Sequence, residues 1–360
     1  MMLASITLPT GPYDWHPEFI SREEFESRLT RFRAAMADAG ATHAVVHGNC
    51  FDHGALAWLS GFTPKLGPAY ALVPIEGAPR LLFAGGPGMR PSAARLTWIE
   101  DVVALKGLEA GLREWLSDGA PRLALCEGSA MMLGDFSVAQ RMAGGSAIAL
   151  DRQVNALRRA KSSAELVLVE RAALALHAAT DKLAIASGSR CDAVLAAERA
   201  AYDAGAQDVR TRIGARPWGP PSIAGDRDEP LDKGFRVAMA ARLGGYWAEA
   251  QFVVGDIDAA VRRQAGKRLS ACLSAMKPDA RLMDLEAASG AKVSGHGVGL
   301  SPEEAPFLAD PGVSLADGDV CSITIDAAPD GQSALLSMLA HITDAGARLL
   351  WAPPGVRIDR

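Results

Sequence analysis

The sequence lacks the features that mark secreted and membrane-spanning proteins. Its five cysteines are scattered and include no C-x-x-C pair, which indicates reduced thiols in a cytoplasm rather than a disulfide framework. No apolar stretch approaches the roughly 18 residues that span a bilayer. The first residues show neither the charged nor the apolar region of a signal peptide. We therefore expect a cytoplasmic protein without a membrane segment.

Basic runs are also absent. The chain has 37 Lys and Arg residues against 42 Asp and Glu residues and a formal net charge of -5, so we expect no nucleic-acid partner. Hydrophobic residues make up 49% of the chain and charged residues 22%, which is typical of a globular protein. Its 360 residues are enough for two domains of roughly 100–200 residues each.

Strands and helices alternate over the first part of the chain. A helix is predicted over "SREEFESRLTRFRAAMADAG", where Ser21 and Glu24 form a candidate capping box. Strands are predicted at "THAVVHG", "AYALVPI", "RLLFAG" and "RLALCEG", and a helix at "LEAGLREWL". This alternation predicts a small α/β domain over residues 1–153.

The pattern changes over residues 154–360. Ser162 and Glu165 form a second capping box before a long amphipathic helix. "FRVAMAARLGGYWAEAQFVVG" predicts a β-hairpin, and helices are predicted over about 190–204 and 256–276. "DVCSITIDAA" and "SALLSMLAHITDAGARLL" predict strands. The second domain is therefore predicted to be α+β, with helices followed by antiparallel strands.

The order of four motifs resembles the creatinase/aminopeptidase P family of M24-type peptidases. The motifs are "LAWLSGFTPKLGPAYALVPIEGAPRLLF", "VNALRRAKSSAELVLVERAA", "GHGVGLSPEEAPFL" and "HITDAGARLL". The resemblance implies a pita-bread domain over 154–360 and a smaller creatinase-like α/β domain over 1–153. It also implies a homodimer that acts on a small-molecule substrate.

In the metallopeptidases of this fold, two aspartates, one histidine and two glutamates hold two divalent metal ions. Carboxylates are needed there because two cations a few ångströms apart repel each other. The corresponding positions of this chain hold Ala240, Glu249 (or Gln251 at the family's full hairpin length), His296, Thr324 and Ser337. The resemblance therefore implies no binuclear metal centre and no cofactor. A single metal held by His296, Glu303, Glu249 and His341 remains an open alternative.

Acid/base groups remain around His296 although the metal ligands are replaced. Glu303 stands where the metallopeptidases have a second histidine, and Glu304 matches their following glutamate. Creatinase is the family's precedent for a metal-free site, since it hydrolyses a C–N bond with histidine and carboxylates. We predict His296 as a general acid or base near neutral pH, with Glu303, Glu304 and Glu249 as further catalytic residues.

Strand parity selects the candidates for substrate binding, because alternate residues of a strand share a face. Residues on the faces of Ala240, Thr324 and Ser337, and residues of two nearby loops, complete the set. The predicted substrate-binding residues are Arg242, Asp326, His341, Arg216 in "TRIGARPWG" (with Arg212 beside it) and His53 in "HGNCFDHGALAWLSGF".

Two classes of function follow from these residues. The first is a metal-independent enzyme that cleaves a C–N bond of a small amino-acid-like, amide or amidine substrate by hydrolysis or elimination. The second is an inactive pita-bread pseudoenzyme that serves as a binding module. A hydrolase with a rebuilt single-metal site is a further alternative.

Overall fold

The computed structural model describes residues 15–116, 121–186, 188–214, 221–223, 230–231, 234–255, 259–307, 312–326 and 335–358. The chain divides into two compact units, Met1–Arg158 and Arg159–Arg360. The sequence pattern predicts the boundary after residue 153. Among the helices of the described residues, none is both long enough and apolar enough to cross a membrane.

The first unit contains a mixed sheet with helices. Its described strands are β1 (His43–Gly48), β2 (Ala69–Pro74), β3 (Arg80–Phe83), β4 (Asp101–Ala104), β5 (Leu123–Cys126) and β6 (Ile148–Ala149). Its described helices are α1 (Arg22–Asp38), α2 (Gly54–Ser60), α3 (Arg90–Ala94), α4 (Leu108–Trp115) and α5 (Leu133–Met142), with α6 (Asp151–Arg159) at the boundary. The strands lie in the order β4-β3-β2-β1-β5-β6.

Local sequence signals explain the start of this unit. Ser21 Oγ accepts a hydrogen bond from the Glu24 backbone N–H at 3.3 Å, so it caps α1 where the pattern predicts. Phe25 and Phe32 of α1 are buried, as their spacing along one helix face requires. Strand β1 pairs antiparallel with β2 and parallel with β5. The predicted α/β character of this part is confirmed.

The second unit consists of helices and two antiparallel sheets. Its described helices are α7 (Ser163–Ala184), α8 (Arg190–Asp203), α9 (Ala259–Ala275) and α10 (Leu282–Ser289). The described strands are β7 (Asp208–Gly214), β8 (Gly234–Leu243), β9 (Tyr246–Gly255), β10 (Val293–Gly297), β11 (Val320–Asp326), β12 (Leu335–Thr343) and β13 (Gly346–Trp351). The sheets have the orders β7-β8-β9 and β10-β11-β12-β13.

Helix α7 defines the two faces of the three-stranded sheet. Its capping box is formed as predicted, with Ser162 Oγ accepting from Glu165 N and the Glu165 carboxylate accepting from Ser162 N. Glu165 also accepts a hydrogen bond from the Tyr246 hydroxyl at 2.8 Å, so the Tyr246 side of β9 faces the helix. The opposite side, the arginine face, carries Arg210 and Arg212 of β7, Arg236, Ala238, Ala240 and Arg242 of β8, and Trp247, Glu249 and Gln251 of β9.

Two described strands of the second unit, β7 and β10, were not predicted from the sequence. The stretch "TRIGARPWG" reads as a loop, but Asp208–Gly214 is strand β7, paired along its whole length with β8. Thr211 and Ile213 are buried whereas Arg210 and Arg212 are exposed. This alternation is the period-two signal of a half-buried strand, and the run is too short to stand out among neighbouring Gly and Pro residues.

Candidate functional site

His296 lies in β10 beside a glycine that the packing requires. A Cβ at Gly297 would lie 1.9 Å from the carbonyl oxygen of Ala305, closer than any real contact. The Gly297 N–H donates to the Glu304 carbonyl at 2.8 Å, and the Glu304 N–H donates back at 2.9 Å. Only glycine therefore lets the loop 299–306 close against the strand next to the imidazole.

The side chain of His296 pairs with Glu249 of the neighbouring sheet. Its Nε2 lies 2.9 Å from Glu249 Oε1, with 17% of the histidine side chain and 12% of the glutamate side chain exposed. On the other side of the ring, Nδ1 lies 3.0 Å from the Gly297 carbonyl oxygen. A carbonyl oxygen only accepts hydrogen bonds, so Nδ1 carries a proton and the proton that can move is on Nε2.

The charges around His296 raise the pKa of its imidazole above the ordinary value of 6.5. Burial acts in the opposite direction, because it disfavours the charged ring. The contact with Glu249, the Gly297 carbonyl and the charge of Glu303 together outweigh burial. Glu249 Oε1 is itself buried and accepts no well-aligned hydrogen bond from the described residues. The imidazolium charge therefore stabilises a carboxylate that is otherwise poorly solvated.

The other positions that correspond to metal ligands in the family hold small side chains. Ala240 lies directly across from Glu249 in the β8–β9 pair, and Thr324 lies across from Ser337 in the β11–β12 pair. The Ser337 hydroxyl accepts a hydrogen bond from the backbone N–H of Gln251 at 2.7 Å. Ser337 thus joins the two sheets at a position where the metallopeptidases of this fold have a carboxylate.

A pair of metal ions does not fit these residues. Only His296 and Glu249 offer strong ligand atoms at the five corresponding positions, and those atoms already contact each other. Two divalent ions need several carboxylates to neutralise and bridge them. The single-metal alternative is not supported either, because neither His341 nor Glu303 joins the pair in a group of ligand atoms close enough to share an ion.

Among the described residues, one group of three candidate ligand atoms lies within 4.8 Å of one another, and it is in the first unit. It consists of Cys126, Glu127 and Asp151. Asp151 accepts a hydrogen bond from the Glu127 backbone N–H at 2.7 Å, and Arg158 lies 3.8 Å from the Glu127 carboxylate. Burial raises the pKa of Glu127 to about 7, and it also raises the pKa of the Cys126 thiol. These contacts explain the group as a structural cluster with its own cation.

The two glutamates after His296 have different surroundings. The Glu304 carboxylate lies 2.6 Å from Lys161 Nζ, and both side chains are largely buried. It is directed to Lys161 rather than to the imidazole, and its predicted catalytic role stays a prediction. Glu303 is exposed, and its charge contributes to the raised pKa of His296. The acid in direct contact with the His296 ring is therefore Glu249.

Arg242 lies on the arginine face, as strand parity predicts, but it is not available as a separate positive charge. Its guanidinium forms an ion pair with Asp208 at 3.2 Å and lies 5.1 Å from the centroid of the Trp247 ring. Only 2% of the side chain is exposed. This ion pair makes Arg242 a structural element at one end of the face.

Asp326 and His341 are not gathered around His296. Asp326 ends β11, and its charge acts on Arg236. His341 lies two strands from His296 in the second sheet, opposite Val320 of β11. Burial and then the charge of Arg348 lower the pKa of His341, which keeps the ring neutral. His341 is thus a buried histidine of the sheet, and its predicted role in substrate binding stays a prediction.

His53 belongs to the first unit, and Arg216 lies outside the described residues. His53 precedes α2 and is 8% exposed. Its Nδ1 lies 3.1 Å from the Asn49 carbonyl, to which it donates. This contact explains His53 as a residue that holds its own loop, whereas a role in substrate binding stays a prediction.

Strand parity could have found further residues of the site that were missed. Arg236 and Arg242 stand six residues apart in β8 and share a face. Arg210 and Arg212 join them from β7, and the Arg210 guanidinium lies 4.5 Å from the centroid of the Trp247 ring. Arg236 and Arg210 were the residues missed, so this face carries more positive charge than the predicted Arg242 and Arg212 alone suggested.

Solved structures match nearly the whole chain, whereas no family model and no curated protein matches it. A prolidase from Pyrococcus horikoshii has a TM-score of 0.74 at 18% identity, over 93% of this chain and 99% of that one. An Xaa-Pro dipeptidase from Bacillus anthracis has 0.74 at 17% identity, over 93% and 100%. An X-Pro aminopeptidase from Thermotoga maritima has 0.75 at 18% identity, over 92% and 99%. The pita-bread fold implied by the resemblance is thereby confirmed.

Proposed function

We propose that the chain is a hydrolase that cleaves a C–N bond in a small amino-acid-like, amide or amidine substrate without a bound metal ion. The observation that carries the proposal is the contact of 2.9 Å between His296 Nε2 and Glu249 Oε1. The structural neighbours of the chain include a prolidase, a dipeptidase and an aminopeptidase, which supports C–N bond hydrolysis as its chemistry.

The contact between the two side chains supports one step for each group. Glu249 accepts a proton from the attacking water, whose oxygen forms a bond to the carbonyl or amidine carbon. His296 donates its Nε2 proton to the leaving nitrogen as the C–N bond breaks, and the proton on Glu249 then returns to His296. The Gly297 carbonyl holds Nδ1–H and so keeps the mobile proton on the side of Glu249.

Chelation tests the proposal. The purified chain, treated with EDTA and dialysed, is assayed on a panel of dipeptides, N-acyl amino acids, amides and amidines. We expect turnover of at least one compound to persist at the untreated rate, because no step uses a metal. A parallel sample with His296→Gln detects contaminating peptidases, since it should not turn that compound over at a comparable rate.

The opposite outcome is equally clear. If EDTA abolishes turnover and Zn²⁺ or Mn²⁺ restores it, the chain is a metalloenzyme with a ligand set that the described residues do not reveal. The mechanism through His296 and Glu249 would then be wrong, although hydrolysis of a C–N bond would stand.

A binding module without catalysis is the second candidate, and one observation favours it. Both nitrogens of His296 have partners, one in Glu249 and one in the Gly297 carbonyl. Such an arrangement is typical of an ion pair that stabilises the fold. Absence of turnover over the whole panel, with normal folding, would select this candidate. The homodimer implied by the resemblance and the cytoplasmic location expected from the sequence stay predictions.

A further inference from the structure

The arginine face has positive charges that the structure leaves incompletely neutralised. Arg236 donates from Nη2 to the side-chain oxygen of Gln251 at 2.9 Å, and Gln251 carries no charge. Its Nε is buried with no partner among the described residues. The negative charge of Asp326 acts on Arg236 from a distance, and the described residues show no ion pair between these two side chains. Arg236 thus differs from Arg242, which has Asp208.

A second guanidinium lies next to Arg236. Arg212 is exposed, and it stands opposite Ala238, two residues along β8 from Arg236. Such diagonal neighbours on paired strands are about 7–8 Å apart, which is within reach of two long side chains that converge on one group. Ala238 carries only a methyl group, so its own side chain does not fill the space between the two guanidinium groups.

The position of this space relative to the His296–Glu249 pair limits what can occupy it. Ala238 and Ala240 are successive residues on the same face of β8, about 6.8 Å apart along the strand. Ala240 lies directly opposite Glu249. A group held over Ala238 is therefore a few bonds away from a reacting bond placed at Glu249. This spacing suits a small molecule with an anion at one end and a C–N bond at the other.

We infer that the arginine face binds a carboxylate of the substrate between Arg212 and Arg236, so that the substrate class is a short acidic amide or amidine. The inference rests on the proposed function for the position of the C–N bond. Guanidinium groups bind a carboxylate in a planar, bidentate manner, which explains why arginines rather than lysines serve here. The charges of His296 and Glu249 cancel within their own pair. The positive charge of the two arginines is therefore available to a ligand.

Binding of succinate, a small dicarboxylate that cannot be hydrolysed, tests the face independently of turnover. Its dissociation constant is measured by titration calorimetry for the wild-type chain and for the Arg236→Gln and Arg212→Gln variants. We expect each substitution to weaken binding about tenfold or more, because each removes a charged hydrogen-bond donor. Arg263→Gln, on an exposed position of α9, is the matched control and should leave the constant unchanged.

Arg212 is exposed, so its replacement leaves the fold intact even if that of Arg236 does not. Equal succinate affinity in the wild-type, Arg212→Gln and Arg263→Gln proteins would overturn the inference. So would binding that is lost equally in all three variants. If succinate binds as expected but no substrate of the panel is cleaved, the proposed hydrolysis fails and the anion site stands.

Where turnover is found, a matched pair of substrates adds a second readout. The free acid is compared with its methyl ester, which has the same C–N bond and no charge. We expect Arg236→Gln to raise KM for the acid and to leave the kinetics of the ester unchanged, with partial rescue by Arg236→Lys. An ester that is cleaved as well as the acid by the wild-type chain would contradict the assignment.

Discussion

Replacement of His296 by glutamine is expected to lower kcat/KM for the C–N substrate about 100- to 10,000-fold, the range of a general acid or base. Glutamine is comparable in size and can still donate to Glu249, but it cannot deliver a proton to a leaving nitrogen. Because the pair lies at 2.9 Å with both side chains mostly buried, solvent is poorly placed to replace the lost proton. Steady-state kinetics at pH 7 measures the effect.

Two comparisons make this result specific to the pair. Glu249→Gln should give a loss of similar size, and the double variant should lose little more, because the two residues act as a unit. His16→Gln, at an exposed position of the first unit, is the control and should keep the wild-type rate. A His296→Gln protein within a factor of about three of the wild type would exclude His296 from the chemistry.

Replacement of Lys161 by methionine is expected to destabilise the protein by about 3–5 kcal/mol, the usual cost of leaving a buried charge without its partner. The side chains of Lys161 and Glu304 are 2% and 10% exposed, and their charged atoms lie 2.6 Å apart. Gly299 lies beside them, since a Cβ there would be 2.1 Å from the Glu304 carboxylate. Urea denaturation monitored by circular dichroism measures the free energy of unfolding.

The control for this effect is Lys182→Met, at an exposed position near the end of α7. It should change stability by less than about 0.5 kcal/mol, as surface substitutions usually do. The double variant Lys161→Met with Glu304→Leu should recover most of the loss, because it leaves no unpaired charge. A loss below about 1 kcal/mol for Lys161→Met alone would show that the pair is solvated, and that result would favour the predicted catalytic role of Glu304.

Much of the fold follows from local signals in the sequence. The caps at Ser21 and Ser162 were predicted, because a capping box needs only residues three apart. The β8–β9 hairpin was predicted because alternating side chains flank Gly244 and Gly245. Strand β7 was missed because its alternation is short and lies next to a Pro- and Gly-rich stretch.

The site was less predictable because its contacts join distant parts of the chain. His296 and Glu249 were both selected from the sequence, but their direct contact depends on how two sheets meet. Glu304 and Lys161 are 143 residues apart, so nothing local showed that this glutamate already had a buried partner. Arg236 was overlooked although it shares its strand face with Arg242, which the same parity rule selected.

The raised pKa of His296 also predicts how the pair affects stability. Its value in the folded protein lies above the ordinary 6.5. The ion pair therefore stabilises the fold fully below pH 6.5, and this contribution is lost as the pH rises through the folded-state pKa. Substitution of Glu249 by glutamine should consequently be more destabilising at pH 6 than at pH 9.

An NMR titration of the histidine ring protons in metal-free protein, repeated with Zn²⁺ added, tests the central claim most directly. The His296 resonance is assigned by its absence from the His296→Gln spectrum. The account predicts that it titrates above pH 6.5 in the wild type, that its pKa falls in Glu249→Gln, and that Zn²⁺ leaves it unchanged. A pKa at or below 6.5, or a resonance that shifts with Zn²⁺, would contradict a metal-free His296–Glu249 pair.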